Sequence, residues 1–312
     1  MNARATGARI FSRTAALAVL LLAGLGAAPA RADITVTDDA GRTLRLPGPA
    51  QRIVSLAPHA TELLFAAGAG DHVVGVSAFS DYPAAARALP QISGGVRMDV
   101  ERVLSLKPEL AIGWLGGNAR SDLDKIQSFG IPVFIAEPRK LDALPNTLIN
   151  IGRLAGTQAT AQRAASAYQA KLAQLRAQYR NRRPVRVFVE IATQPLITLN
   201  YKHLVNDVLA LCGGRNIFAA ANLIAPDISV ESVVLEEPDA ILFSDELGTV
   251  KAMRGWWSEH ADLAAVRAGR VYSFPAALTL RQTPRVLDGA RQVCVTLDSV
   301  RASLDSERTH KR

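Results

Sequence analysis

The chain has 312 residues, with 36 Lys and Arg against 28 Asp and Glu and a formal net charge of +8. Residues 1–32 hold four Arg and no acid, so the remainder carries only +4 (32 basic, 28 acidic). No basic run appears before the His-Lys-Arg end, which argues against a nucleic-acid surface, and the length fits one large or two mid-sized domains.

Arg4, Arg9 and Arg13 open a stretch that is apolar from Ala15 to Ala28 and closes on Ala30-Arg31-Ala32. A positive start, a short apolar run and small residues at a cleavage site read as an export signal, leaving Asp33 first. The run is short for a membrane span, and no later stretch is apolar enough to be one. Next come a predicted strand at Ile53–Leu56, a loop at Ala57–His59 and a helix from Thr61 to Ala67 that ends near Gly68 and Gly70. Further strands are predicted at Val73–Val76, Leu110–Trp114 and Val133–Ala136. Ile131-Pro-Val-Phe-Ile135 is apolar on both faces, as buried parallel strands are. Thr157 to Arg180 has helical composition, with Ala161, Ala165, Tyr168, Leu172 and Leu175 on one face and Thr157 as N-cap. Such a rod spans about 35 Å. The strand pattern restarts at Val185–Glu190 and continues at Ala240–Phe243 and Val271–Phe274. The expectation is an α/β protein whose two lobes, 33–145 and 183–312, each hold a mostly parallel sheet flanked by helices. A helical segment over 146–182 joins them.

Cys212 and Cys294 meet an oxidising compartment if the chain is exported, where two cysteines usually pair, although two buried thiols are the alternative. An internal repeat recurs at an offset of 130. Val100-Glu101 with Pro108 in the first half matches Val230-Glu231 with Pro238 in the second. Asp99 and Ser229 are suitable N-caps, which puts Glu101 and Glu231 in equivalent first turns. Dipole complementation accounts for an acid there. A pair repeated across lobes also fits a two-point dock for a two-fold partner with basic pockets.

The motifs are recognisable in order: Arg52-Ile-Val-Ser-Leu-Ala-Pro-His-Ala-Thr-Glu-Leu63, Ser80-Asp-Tyr-Pro83, Glu101 with Leu106-Lys-Pro108, and Trp114-Leu-Gly-Gly-Asn118. In the second half they are Val208-Leu-Ala-Leu-Cys-Gly-Gly-Arg-Asn-Ile-Phe218, Glu231 and Thr283-Pro-Arg285. The chain after the export segment resembles the solute-binding proteins of the iron and cobalamin ABC importers. That resemblance implies two lobes bridged by one long rigid helix, a ligand in the interlobe cleft and little hinge motion. It implies a periplasmic monomer without catalysis, cofactor or bound metal, carrying cobalamin or a related corrinoid to a dimeric permease driven by a cytoplasmic ATPase. It assigns Glu101 and Glu231 to docking on permease arginines, and Cys212 and Cys294 to a disulfide.

For the ligand, the resemblance points to Phe79, Trp114, His59 and the loop Ala277-Leu278-Thr279-Leu280-Arg281. The cobalamin-binding members line the cleft with aromatic rings, because a corrin is a broad flat disc. Trp114 matches one of these; Phe79 replaces a Tyr, Gly95 and Ala225 replace Trp, Ile191 replaces a Phe, and the 277–281 loop lacks its leading acid. Haem or a ferric siderophore is the alternative ligand, though no Tyr lies between Gln91 and Val100 to suit haem. Arg97 and Arg281 are the cationic candidates for siderophore carboxylates. The remaining histidines show no ligand spacing. Tyr82 reads as a turn anchor and Trp256-Trp257 as core. A periplasmic hydrolase is the remote alternative, without a nucleophile elbow, zinc motif or phosphate loop to support it.

Overall fold

Runs of residues apolar on both faces recur twice along the chain, and each set assembles its own parallel sheet. The computed structural model describes residues 33–93 and 98–310; the expected export signal over residues 1–32, Gly95 and Arg97 lie outside the described residues. A hairpin that sequence analysis did not anticipate comes first, β1 (Ile34–Thr37) antiparallel to β2 (Thr43–Leu46). There follow β3 (Ile53–Ser55), α1 (Pro58–Ala66), β4 (Val73–Val76), α2 (Val100–Ser105), β5 (Leu110–Gly113), α3 (Arg120–Ser128) and β6 (Val133–Ile135). Helices α4 (Leu144–Ala155) and α5 (Gln158–Tyr179) lead to the second half. This contains β7 (Val185–Glu190), a short hairpin of β8 (Ala192–Thr193) and β9 (Leu196–Ile197), α6 (Leu204–Leu211), β10 (Gly214–Asn216) and α7 (Val230–Glu236). It ends with β11 (Ala240–Ser244), α8 (Val250–Ser258), α9 (Ala264–Arg267), β12 (Val271–Phe274), α10 (Ala276–Thr279) and α11 (Val286–His310).

The first sheet is ordered β4-β3-β5-β6 and the second β10-β7-β11-β12, parallel throughout. By order of appearance, both run second, first, third, fourth. The offset repeat read in the sequence is therefore a topological one: α2–β5 and α7–β11 are equivalent units. Asp99 caps α2 by accepting from the Arg102 amide at 2.9 Å, and Ser229 caps α7 by accepting from the Ser232 amide at 3.2 Å.

Two expectations need correction. α1 begins three residues earlier than predicted, because Pro58 presets the first helical turn, so His59 is helical and not in a loop. Thr157 does not cap α5; its hydroxyl donates instead to the Ala67 carbonyl at 2.7 Å, tying the start of the helix to the end of α1.

Helix α5 has 22 residues, about 33 Å of rod. Ala161, Tyr168, Leu172 and Leu175 on its buried face join a single apolar cluster. That cluster runs from Ile53, Leu63 and Phe134 on the first sheet's side to Val187, Leu242 and Leu297 on the second's. The outer faces of the sheets keep separate cores, one around Val54 and Ile126 and one around Phe188 and Trp257. α4 packs so closely on α5 that a Cβ on Gly152 would stand 2.3 Å from that of Ala161.

Cys212, at the end of α6, is bonded to Cys294 in α11. Gly213 follows with φ +72°, the left-handed stop expected of a helix end. The bond closes a separation of 82 residues, for which chain entropy gives about 4–5 kcal/mol. Replacing both cysteines by alanine should lower the guanidinium unfolding free energy by that order. An unchanged midpoint would show that the loop is held by packing alone.

Candidate functional site

In a doubly wound sheet the crevice lies beyond the carboxyl ends of the strands, where the strand order reverses. In the first lobe that point is between β3 and β5, and the residues leaving those strands are Leu56–Pro58 and Trp114. A recess of about 270 Å³ opens there, lined by Leu56, Pro58, Phe79, Ser93, Met98 and Trp114 among others. A second hollow of about 560 Å³ shares Met98, Gly117 and Asn118 with it.

Each wall residue is held by local chemistry. Asn118 Oδ1 accepts from the Trp114 amide at 2.8 Å and its Nδ2 donates to the Leu56 carbonyl at 2.9 Å, lacing the turn after β5 to the exit of β3. The Trp114 indole lies over its own turn: an added Cβ on Gly117 would sit 2.1 Å from it, and on Gly116 2.6 Å. That explains the pair of glycines in the motif. Phe79 is 72% exposed with φ +63°, an unusual backbone for a bulky residue. Its loop is pinned by hydroxyls, Ser77 to Ser80 at 3.1 Å and Thr61 to Ser80 at 2.9 Å, and by the Ala78 amide donating to Ser93 Oγ at 2.9 Å. A large ring is thus presented to solvent from a fixed turn.

His59 stands behind this wall. It is buried, its Nε2 donates to the Ala136 carbonyl at 2.8 Å, and its ring meets Trp114 edge-on at 5.2 Å. Of the 277–281 segment, expected to be a loop, Ala277, Leu278 and Thr279 belong to the single-turn α10. Thr279 is fully buried with Oγ1 unpartnered; Ala277, Leu278, Leu280 and Arg281 are partly exposed. As placed, His59 and Thr279 offer almost no surface to a cleft ligand. Phe79 and Trp114 line one recess, and Arg281 Nη2 approaches the Phe79 carbonyl at 3.5 Å. Ile191 is half-buried and Ala225 exposed.

The second lobe contributes a carboxylate that the sequence reading passed over. Glu190, at the carboxyl end of β7, is fully buried and accepts from Trp257 Nε1 and from Thr193 Oγ1, both at 2.9 Å. Burial pushes its carboxyl up, against the two hydrogen bonds. It anchors the β8–β9 hairpin to α8, with Trp257 in the core as expected and Trp256 beside it at 4.8 Å.

A larger recess, about 800 Å³, is elsewhere. Arg176, Arg180, Arg182, Lys140 and Asp207 line it, at the amino end of β7 and the ends of α5 and α6. Crevice logic favours the carboxyl ends, and bidentate pairing of Arg176 with Asp142 already occupies much of its charge. Glu101 and Glu231 are both exposed in their first turns. Hydrogen bonding to the Glu231 amide and to Ser229 holds the Glu231 carboxyl below its ordinary value. Among the described residues no group of His, Cys, Asp and Glu is placed to hold a metal, and no helix is long and apolar enough to cross a membrane.

Burial pushes His59 down from 6.5 to about 4, so it is neutral at pH 7. A base with a depressed folded pKa gives stability that is complete above the unfolded value and lost as pH falls from 6.5 towards 4. The stability difference between the protein and His59→Gln should therefore shrink by on the order of 3 kcal/mol across that window in urea titrations. A constant difference would place a charged His59 in the fold.

The comparisons with known proteins agree with this geometry. The profile of a periplasmic binding protein matches residues 53–278. The chain is 36% identical over 254 residues to the vitamin B12-binding protein of Vibrio cholerae, covering 81% of this chain and 91% of that one. It is 34% identical over 251 residues to the vitamin B12-binding protein of Yersinia pestis, covering 80% and 88%. The crystal structure of periplasmic vitamin B12 binding protein BtuF of Vibrio cholerae superposes with a TM-score of 0.75 over 81% of this chain and 98% of that one, at 36% identity. The periplasmic heme-binding protein RhuT from Roseiflexus gives 0.71 over 80% and 98%, at 28% identity. These relatives are binding proteins, not enzymes. With the repeated parallel sheets, the bridging helix and a profile match across both lobes, the chain belongs to the periplasmic binding protein family.

Proposed function

We propose that this protein captures cobalamin or a related corrinoid non-covalently between its lobes and hands it to a membrane permease powered by a cytoplasmic ATPase. The observation that carries the reading is the 36% identity, over 91% of its length, to a vitamin B12-binding protein. The recess agrees with it. A flat, largely apolar macrocycle gains most from rigid rings, and Phe79 and Trp114 are aromatic side chains held by fixed turns. The first 32 residues act in this reading as a cleaved export signal, and the mature chain, from Asp33, works as a monomer. The lobes are taken as 33–145 and 183–312, joined through 146–182.

Haem is the second ligand to consider, because the Roseiflexus protein superposes at 0.71. The corrinoid reading has the higher identity and the higher TM-score, and the segment between Gln91 and Val100 offers no Tyr for haem iron. Calorimetric titration of the mature protein should show binding of cyanocobalamin or cobinamide and none of haemin. Trp114→Ala and Phe79→Ala should each weaken corrinoid binding about ten- to a hundredfold. Haemin binding without corrinoid binding would transfer the assignment to the other ligand class.

Delivery rests on the repeated acids. Glu101 and Glu231 are each the second residue of an equivalent helix, one per lobe, exposed and matched to a partner with two basic pockets. The double reversal Glu101→Arg, Glu231→Arg should abolish uptake in cells while leaving corrinoid affinity within about twofold, since neither residue lines the recess. Parallel loss of affinity would place the acids in the binding machinery or the fold.

A further inference from the structure

Three motifs that no role has absorbed converge at the junction of the lobes. Glu62 on α1 is 3% exposed, and its neighbours along the helix, Thr61, Leu63 and Leu64, are buried. Both of its oxygens face guanidinium groups from the other lobe. Oε2 accepts from Arg285 Nε at 2.8 Å, and Oε1 accepts from Arg285 Nη2 at 2.5 Å and from Arg281 Nη1 at 3.1 Å. Arg281 Nη1 also donates to Asp81 at 2.7 Å. The Arg285 guanidinium carbon stands 3.8 Å from the centre of the Tyr82 ring, so Tyr82 is a stacking platform and not simply a turn anchor. Two carboxylates and two guanidiniums balance in this cluster, so the buried Glu62 has its counter-charges at hydrogen-bond distance.

The geometry restrains orientation as well as distance. An Arg that meets one carboxylate through two parallel hydrogen bonds and also lies against an aromatic face has its plane fixed twice. The first lobe supplies Glu62, Asp81 and Tyr82; the second supplies Arg281 and Arg285. The shared apolar cluster around α5 holds the lobes together, but hydrophobic contact is non-directional and leaves their relative angle without an oriented restraint. A second attachment supplies that restraint. Asp207 makes a further polar link between the lobes, accepting from the half-exposed Lys140 ammonium at 2.8 Å and from the Leu141 amide at 3.1 Å, but a flexible point charge fixes no plane as a stacked, bidentate guanidinium does.

We propose that Glu62, Tyr82 and Arg285 form an interlobe clasp that sets the cleft angle before any ligand arrives, and that Glu62 is the positioning residue for Arg281 at the cleft edge. Preorganisation of this kind spares the complex the cost of ordering two lobes on binding. Burial alone would pull the Arg281 guanidinium down, yet Asp81 and Glu62 hold it up, and the Asp81 carboxyl is held low by the same pairing.

The test is an interlobe distance measured without ligand. Spin labels at Gln127→Cys and Lys251→Cys, exposed positions on opposite lobes, give a distance distribution by double electron–electron resonance. The unliganded protein should show one narrow distribution. Glu62→Gln and Tyr82→Ala should broaden it or move its mode by more than about 2 Å, and Tyr82→Phe, which keeps the ring, should restore it. Tyr82 is 46% exposed, so its loss tests the clasp without emptying the core. Unchanged distributions in both variants overturn the proposal, even if melting temperatures fall, because local packing alone lowers stability without moving the lobes. No ligand enters the measurement, so its failure leaves the corrinoid reading untouched.

Discussion

One apolar cluster, continuous from the inner side of the first sheet through helix α5 to the inner side of the second, is the constraint on which the molecule rests. Two sheets of identical strand order, each with its own outer core, look like separable domains. Their shared inner core makes them otherwise, since parting them would uncover Tyr168, Leu172 and Leu175 to water. The two sheets, whose carboxyl ends are where α/β proteins bind ligands, are therefore held against one framework. The disulfide between α6 and α11 and the close contact of Gly152 with Ala161 act on the same framework, one in each half.

Polar chemistry refines what the core sets. Asn118, Ser80 and Ser93 hold the turns that carry Trp114 and Phe79, and Glu190 does comparable work for the second lobe's hairpin. His59 is neutral and buried behind the aromatic wall, so its contribution is support of Trp114. The Glu62 cluster adds an oriented link near the same wall. Glu101 and Glu231 face solvent at matching places on the two lobes.

Much of this was legible in the sequence, for identifiable reasons. Val185–Glu190 and Val271–Phe274 lie where the apolar runs put them, because buried parallel strands need no alternation to be recognised. The caps Asp99 and Ser229 were readable because N-capping is local chemistry. Thr157 looked equally suitable and went elsewhere, since the Ala67 carbonyl that claims it is 90 residues away. The hairpin of Ile34–Thr37 and Thr43–Leu46 escaped notice because four-residue strands give a weak period. The partners of Glu62 were illegible for a stronger reason. Arg281 and Arg285 lie more than 200 positions away, and only the fold shows that three motifs meet. A lone carboxylate in the mostly apolar segment Leu56–Ala66 was the available signal.

In the proposed function, a preset cleft receives a flat macrocycle against Phe79 and Trp114 with little movement of the lobes. A crystal structure of the protein grown with cyanocobalamin tests it most directly. The corrin should lie against those two rings, with the lobes superposing on the unliganded arrangement to within about 1 Å. A corrin seated at the 800 Å³ recess near Arg176 and Tyr179, or lobes swung apart about α5 to admit it, would overturn the proposed site.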